Sequence, residues 1–371
     1  MEQRILPLIQ VSGSPRERGR QQGEAARREI LSALDRYREL LPHVINITWE
    51  VGQREARKFL PYAEEAFPRF VEEIRGIAEG ADVSFHEVWT LNCYEGLPDS
   101  RQQIWGCTSL AVRDDQTADG HVLIAHNEDW NSVDRDNVYL VQVQPDDGPA
   151  FIGMTYGPLL VNIGLNAEGI GVAIDSVYPT DGRVGVPRIL CARAVLNART
   201  IGQAIRACVP QLRAGGYSYL LADSNGELYC VETSATTHDI TYGEEGWLVH
   251  TNHYLSPKMR ALEQPGTYAA SHVSLNRARR LLRQQLGQVT VESLQAILRD
   301  HVNFPNSICL HPDPDEPPPE RDQTLVSLVM DITARQIWAA PGPPCEGEYT
   351  VYRLSGEQEP PGGGADDQDS L

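Results

Sequence analysis

The chain has 371 residues, of which 41% are hydrophobic and 22% are charged, and 51 acidic against 32 basic side chains give a formal net charge of -19. Such a charge argues against nucleic acid and an anionic membrane surface as partners, because both are recognised by clustered Lys and Arg, and no stretch reaches the roughly 18 apolar residues of a membrane-spanning helix. The seven cysteines form no CxxC pair and the N-terminus lacks the apolar stretch of a secretory signal, so we expect a soluble cytoplasmic protein whose reduced thiols include candidate nucleophiles.

Residues 1–106 are predicted to form a helical block. The sequence Ser-Pro-Arg-Glu at 14–17 is a capping box with proline at the first helical position. Apolar residues then recur at helical spacing over 30–41 and 67–77, and a second capping box at 84–87 begins another helix. The outer face of this block is charged, while its apolar stripes need a partner surface.

After residue 106 the sequence changes to short runs typical of strands, separated by turn sequences. Helical periodicity returns over 187–209, 271–285 and 291–301. Strands grouped around central helices favour stacked sheets with helix layers over alternating βαβ units. The predicted strands cover 108–112, 121–125, 138–143, 151–156, 160–165, 170–177, 217–222, 228–232, 247–251, 324–331 and 336–339.

The C-terminal part of the chain contains two segments of low complexity. Residues 311–322 read HPDPDEPPPERD and are predicted to form an acidic, proline-rich loop. Residues 355–371 hold acids, glycine and proline but no base, so burial cannot offset their ordering entropy and a disordered acidic tail is predicted. The expected division of the chain is therefore 1–106, 107–354 and 355–371.

The junction between the helical block and the first strand carries a candidate chemistry. The thiol of Cys107 can attack the carbonyl carbon of Gly106 and move the acyl group from nitrogen to sulfur, after which water hydrolyses the thioester. Glycine before the bond permits a strained backbone geometry. The product is an N-terminal cysteine whose amine and thiol titrate near ~8 and ~8.5, so one residue supplies base and nucleophile. The alternative is that Cys107 is a small buried strand residue.

A predicted hairpin gives Cys107 a neighbour. The strand after Cys107 turns at Gly120 and returns through His-Asn-Glu-Asp-Trp at 126–130, which brings Asp129 back beside the start of the first strand. The Asp129 carboxylate can accept a hydrogen bond from the new amine and orient it. The alternative for Asp129 is a cap at the end of a strand.

The motif GCTS at 106–109, followed by a hairpin into HNEDW, resembles the acyl-coenzyme A:6-aminopenicillanic acid acyltransferase family of N-terminal-nucleophile (Ntn) hydrolases. GSPRERGRQQGE, GIAEGADVSF, GLNAEGIGVAID and HTNH resemble further motifs of the family in the same order, so the likeness covers roughly 5–353. The resemblance implies an α+β fold, a four-layer αββα Ntn sandwich with an N-terminal helical pro-segment. After self-cleavage, the pro-segment (residues 1–106) is expected to stay bound as a small subunit.

The resemblance also implies site residues. The family's nucleophile falls on Cys107, its amine-orienting aspartate on Asp129, and an oxyanion-hole asparagine on Asn252. A site arginine on a helix in the second half matches Arg277 best, with Arg280 as the second choice, and a guanidinium there would lower the pKa of the thiol.

Two further positions remain open. Relatives that hydrolyse bile salts tend to carry arginine three residues before the orienting aspartate, whereas this chain has His126, which weakens a bile-salt or penicillin V interpretation. The role of His126 as catalytic, substrate-contacting or packed is left open. A backbone N–H near Asp175 and Ser176 is a weaker candidate for a second oxyanion donor.

The predicted activity is that of a self-processing cysteine amidohydrolase or acyltransferase. It would cleave or transfer the acyl group of a small N-acyl amine or amide through a Cys107 thioester, without cofactor or metal, and a homo-oligomer is compatible with the sequence. One alternative is an acyl-CoA-dependent N-acyltransferase of the isopenicillin N type. A second is a metallohydrolase with His126, Asp129, His250 and His253 as ligands, and a third is a non-enzymatic binding protein on a decayed scaffold.

Overall fold

The computed structural model describes residues 4–97, 106–266 and 269–354. The predicted acidic tail, 355–371, and the residues directly before the junction, 98–105, lie outside these ranges. Within them, no helix is both long enough and apolar enough to cross a membrane.

Eleven α-helices and fourteen strands lie within the described ranges. The helices are α1 Pro15–Ala25, α2 Arg27–Val44, α3 Trp49–Ala56, α4 Leu60–Ala66, α5 Pro68–Ala81, α6 Phe85–Asn92, α7 Arg188–Val195, α8 Ile201–Cys208, α9 Pro257–Arg260, α10 Ala269–Arg283 and α11 Val291–Leu298. The strands are β1 Leu8–Gly13, β2 Cys107–Val112, β3 Leu123–Asn131, β4 Val138–Pro145, β5 Phe151–Tyr156, β6 Ile163–Asn166, β7 Ile170–Ser176, β8 Tyr217–Asp223, β9 Leu228–Thr233, β10 His238–Tyr242, β11 Trp247–His250, β12 Asp322–Asp331, β13 Gln336–Pro341 and β14 Thr350–Arg353.

The strands form two sheets that pack face to face. An eight-stranded sheet has the order β1-β4-β5-β6-β7-β8-β9-β10, and a six-stranded sheet has the order β11-β2-β3-β12-β13-β14. Strands β2 and β3 contact β7 across the interface. Helices α7 and α8 cover the outer side of the first sheet, while α10 and α11 cover the outer side of the second. The predicted α+β fold with its αββα layer order is therefore confirmed.

The helical block contains a strand that the sequence analysis missed. Strand β1 pairs in parallel with β4, with Leu8 opposite Leu140, and so extends the edge of the eight-stranded sheet. Its short LIQVSG sequence leaves Leu8 exposed and buries Val11. The partner strand lies far away in the sequence, because parallel pairing requires a long crossover connection. The local sequence of β1 therefore gave little sign that it forms a strand.

The glycine-rich opening of the chain serves a close contact between α1 and α5. A methyl group added at Gly19 would lie 2.1 Å from the carbonyl oxygen of Glu73, and one added at Gly76 would lie 2.2 Å from that of Arg16. Glycine is required at both positions because the two backbones touch where a side chain would stand. The glycines of the GSPRERGRQQGE and GIAEGADVSF motifs thus allow the backbones of α1 and α5 to pack in direct contact.

A buried ion triad joins the helical block to the rest of the fold. Arg18 on α1 and Arg193 on α7 both donate to Glu73 on α5, at 2.8 and 3.0 Å. Burial raises the pKa of Glu73, but Arg193 and Arg18 outweigh it, so the net pKa is lowered and the carboxylate stays charged. Separating the three side chains would leave an uncompensated buried charge, which is strongly unfavourable. The triad therefore stabilises the contact between the helical block and the rest of the fold.

Candidate active site

Cys107 is the first residue of β2, and the hairpin predicted from the sequence is present. Strands β2 and β3 pair antiparallel, with Cys107 directly opposite Glu128. The next residue, Asp129, has its backbone carbonyl oxygen 4.0 Å from the Cys107 sulfur. Cys107 is 6% exposed, so the sulfur lies in a nearly dry environment at the end of an inner strand.

The Asp129 carboxylate lies beside Gly106. A Cβ atom at position 106 would stand 3.3 Å from Asp129 Oδ2, so glycine leaves room for the carboxylate next to the Gly106–Cys107 bond. The Thr324 hydroxyl donates to Asp129 Oδ1 at 2.5 Å and fixes its orientation. Burial raises the pKa of Asp129 well above its usual range.

Asn252 contacts the nitrogen of the nucleophile. The backbone N–H of Cys107 donates to Asn252 Oδ1 at 2.5 Å, and Asn252 Nδ2 donates to the carbonyl oxygen of Ser176 at 3.1 Å. These two partners fix which end of the amide is oxygen, because an N–H needs an acceptor and a carbonyl needs a donor. Asn252 therefore positions the Cys107 nitrogen, and the Ser176 bond uses one of its two amide protons.

Glu128 is a site residue that the sequence analysis missed. Its Oε2 atom lies 3.8 Å from the Cys107 sulfur and 3.0 Å from His126 Nε2, while the Tyr156 hydroxyl donates to Oε1 at 3.4 Å. This carboxylate is therefore a side-chain partner of the Cys107 sulfur. The hairpin register contains the signal, because residues that face each other across an antiparallel pair point to the same side.

A chain of buried polar side chains runs between the two sheets. Ser109 Oγ lies 2.9 Å from His126 Nδ1 and donates to Asp175 Oδ1 at 3.0 Å. His250 follows, with Nδ1 3.4 Å from Asp175 Oδ2 and Nε2 2.8 Å from Glu232 Oε1. His126 is thus one of these buried, hydrogen-bonded side chains, between Ser109 and Glu128.

The pKa of His250 predicts a pH-dependent stability. Burial lowers this pKa, but the carboxylates of Asp175 and Glu232 more than reverse the effect and raise it from 6.5 to about 9. A raised pKa in the folded state stabilises the fold fully below 6.5, and this contribution is lost as the pH rises through 9. We expect the free energy of unfolding to fall by about 3 kcal/mol over this interval, measured by urea denaturation. In His250→Gln, this decrease in the free energy of unfolding should be absent. If the free energies of unfolding of the two proteins changed with pH in parallel, the assignment would be contradicted.

The metal ligand set suggested by the sequence does not form. His250 is held by carboxylates, and His253 packs on His272 with ring centroids 3.8 Å apart and its Nδ1 2.7 Å from Ser271 Oγ. In the part of the chain that the structure describes, no group of converging ligand atoms combines His126 with Asp129, His250 and His253. The metallohydrolase alternative therefore loses its proposed site.

Arg277 and Arg280 do not reach Cys107. The Arg277 guanidinium donates to both oxygens of Asp300, at 3.0 and 2.7 Å, and Arg280 is exposed. The residues of α10 that line the pocket at Cys107 are Ala270, Ser271 and Ser274. The turn of the helix explains this correction, because Ser274 faces the sheets while Arg277 faces the loop after α11.

One pocket contains Cys107, and a second, larger cavity is connected to the site through Tyr156. A pocket of about 240 Å³ contains Gly106, Cys107, Asp129 and Asn252, and residues 306, 307 and 310 form its far wall. A larger cavity of about 880 Å³ lies between the pro-segment and the first sheet. It holds Arg188, which pairs with Glu95, and seven aromatic residues line it: Tyr37, Phe59, Tyr94, Trp130, Tyr156, Tyr178 and Tyr217. Tyr156, which also contacts Glu128, connects this cavity to the site.

Comparison with known proteins identifies the family. The profile of the acyl-coenzyme A:6-aminopenicillanic acid acyl-transferase family matches residues 116–345. The chain is 25% identical over 342 residues to the acyl-coenzyme A:6-aminopenicillanic-acid-acyltransferase 40 kDa form of Emericella nidulans. The aligned region covers 91% of this chain and 92% of that protein. It is 26% identical over 175 residues to the β-alanyl-dopamine/carcinine hydrolase of Drosophila melanogaster, covering 42% of this chain and 44% of that one.

Solved structures are more distant. A penicillin V acylase from Agrobacterium tumefaciens has a TM-score of 0.47 at 16% identity, over 63% of this chain and 83% of that one. The family match, which spans more than half of the chain, confirms both the resemblance seen in the sequence and the prediction of an Ntn-type enzyme that acts on amide bonds. The chain belongs to the acyl-coenzyme A:6-aminopenicillanic acid acyltransferase family.

Proposed function

We propose that the chain cleaves itself between Gly106 and Cys107 and then hydrolyses or transfers acyl groups through a Cys107 thioester. One observation carries the proposal: the two atoms of Cys107 that the chemistry needs both have a polar partner. Its nitrogen is held by Asn252, and its sulfur lies 3.8 Å from a carboxylate oxygen of Glu128. The Asp129 carboxylate beside Gly106 completes the set.

The cleavage step requires a base for the thiol. Burial raises the pKa of Cys107, and the nearby charges of Glu128, Asp129 and Asp175 raise it further, so the sulfur is protonated before cleavage. In the proposed step, Glu128 takes this proton while the sulfur attacks the Gly106 carbonyl carbon. The C–N bond breaks, the Cys107 nitrogen takes this proton from Glu128 and becomes an amine, and water then hydrolyses the thioester to leave Gly106 with a free carboxylate.

After cleavage, the new amine serves as the base of the mature enzyme. It takes the proton of its own thiol, and the sulfur attacks the carbonyl carbon of the substrate amide. Asp129 and Asn252 hold the amine, and its ammonium form protonates the departing amine of the substrate. The remaining thioester on Cys107 is released by water in hydrolysis or by an acceptor amine in transfer. Thiolate formation becomes easier because a positive charge now lies beside the sulfur.

The cavities indicate a small acyl substrate. The larger cavity suits an apolar acyl group, because aromatic side chains form much of its lining. We therefore propose hydrolysis of a small N-acyl amine or amide. Transfer from acyl-CoA is the second candidate. The relative from Emericella nidulans, of which the match covers 92%, is by name an acyl-coenzyme A acyltransferase. The seven free cysteines favour a reducing cytoplasm as the location.

The pro-segment is proposed to remain as the small subunit. Tyr37 donates to Asp134 at 2.7 Å and accepts from Trp130 at 2.8 Å, so its hydroxyl joins α2 to the strand that carries Asp129. Asn92 makes a further pair of bonds to the backbone at residues 158 and 160. Release of the pro-segment would break these bonds and expose the shared hydrophobic core.

Intact-mass spectrometry of purified protein tests this proposal. Under denaturing conditions, we expect two chains whose masses correspond to residues 1–106 and 107–371, and under native conditions a single complex that contains both. An N-acyl amine should give free acid and a transient acyl adduct on the larger chain. Acyl-CoA with an added amine separates transfer from hydrolysis. A chain that is active while uncut would refute the proposal.

A further inference from the structure

Two histidines and two cysteines converge at a site that the proposed mechanism does not use. Nε2 of His301 lies 3.2 Å from Nε2 of His311. The sulfur atoms of Cys309 and Cys345 lie 3.5 and 3.2 Å from the same His311 nitrogen. One ligand atom from each of the four side chains lies within 4.8 Å of every other, although Cys345 is 34 residues away from His311 in the sequence.

This arrangement has the dimensions of a tetrahedral zinc site. Zn²⁺ bound at its usual distances to nitrogen and sulfur sets N–N edges of about 3.3 Å and N–S edges of about 3.5 Å. The three distances above match these edges to within a few tenths of an ångström. Two thiolates with two imidazoles are also a standard ligand set for structural zinc. We propose that His301, Cys309, His311 and Cys345 bind one Zn²⁺ ion.

The surroundings supply the outer contacts that such a site needs. Glu346 Oε1 lies 3.5 Å from His311 Nδ1, the ring nitrogen that does not face the sulfurs. A carboxylate at this position fixes the tautomer of a ligating histidine and leaves Nε2 free to bind the metal. Arg299 donates to the carbonyl oxygen of Pro344 at 2.8 Å, so the two segments that carry the ligands are already joined.

The ion would stabilise the loop that lines one side of the pocket at Cys107. Residues 306, 307 and 310 line that pocket, and they lie between His301 and His311. The backbone N–H of Leu310 donates to Thr324 Oγ1 at 3.1 Å, which connects this loop to the residue that holds Asp129. Four protein ligands leave no open position, so the site is structural, and binding releases the two thiol protons to solvent.

Metal analysis of the full chain tests the site. Protein kept reduced, incubated with Zn²⁺ and dialysed, should contain one zinc per chain by plasma mass spectrometry. Cys345→Ser and His301→Asn remove exposed ligands and should reduce the zinc content at least tenfold, with an unchanged circular dichroism spectrum. Glu346→Gln should weaken zinc binding by about 10- to 100-fold. Co²⁺ in place of zinc should show thiolate charge-transfer and tetrahedral absorption bands that Cys345→Ser lacks.

Cys107→Ala separates this site from the nucleophile. The sulfur of Cys107 lies near ligand atoms of His126 and Glu128, so a metal bound there would be lost in this variant. Our proposal predicts that the variant keeps its zinc, whatever its activity. Equal zinc in wild type and Cys345→Ser would overturn the proposal. It would also be overturned by a reduced wild-type protein that takes up no zinc, or by a native mass that shows a disulfide between Cys309 and Cys345.

Discussion

Replacing Cys107 with alanine should leave the chain in one piece and reduce acyl transfer by a factor on the order of 10⁶, the size of effect seen when a covalent nucleophile is deleted. Without the thiol, no sulfur attacks the Gly106 carbonyl and no acyl-enzyme forms. The side chain is small and 6% exposed, so the fold should survive the change. Denaturing electrophoresis and intact mass should show one full-length species, where the wild type shows two.

Cys230→Ala is the matched control for this experiment. Cys230 is also a buried strand cysteine, 5% exposed, and its sulfur lies 3.2 Å from Ser218 Oγ, away from the scissile bond. This variant should be cut and should be active like the wild type. If Cys107→Ala were cut at the same bond, another nucleophile would have to perform the cleavage, and the central assignment would fail.

The features that the sequence predicted well depend on neighbours in the chain. The capping boxes at 14–17 and 84–87 both form, since their hydrogen bonds join residues three apart. The hairpin that brings Asp129 to Cys107 follows from one turn and alternating side chains. In each case, a few consecutive residues contain all of the physical information that the structure uses.

The features that the sequence did not predict depend on distant partners. Arg277 matched a short motif, but Asp300, on another loop, decides where its guanidinium lies. Glu128 is the exception, because the register of the predicted hairpin places it opposite Cys107. Cys345 contacts His311, which lies 34 residues away in the sequence. Such pairings require the packed fold, because the local sequence carries no signal for either partner.

Asp129→Asn should lower both self-cleavage and acyl transfer by about 10²- to 10⁴-fold, the usual range for loss of a positioned proton-handling group. The carboxylate is buried next to Gly106, where the new amine will appear. Burial raises the pKa of Asp129 in the uncut chain, but an ammonium group beside it offsets this effect and favours the carboxylate. The carboxylate in turn favours the ammonium form and so raises the pKa of the amine above ~8. The amine must be neutral to act as the base, so activity of the wild type should rise with pH through this pKa.

The pH profile separates this electrostatic role from a structural one. Without the charge, the pKa of the amine should fall, so the rising limb of kcat/KM in Asp129→Asn should move to lower pH by about one unit or more. Thr324→Val is the matched control, because it removes the hydroxyl that donates to Asp129 at 2.5 Å but keeps the carboxylate. Its activity should fall by about 10- to 150-fold, in line with one hydrogen bond to a charged group, and its rising limb should stay within a few tenths of a unit of the wild type. A lower rate in Asp129→Asn with an unmoved limb would show that Asp129 only shapes the pocket, and that another group sets the protonation state of the amine.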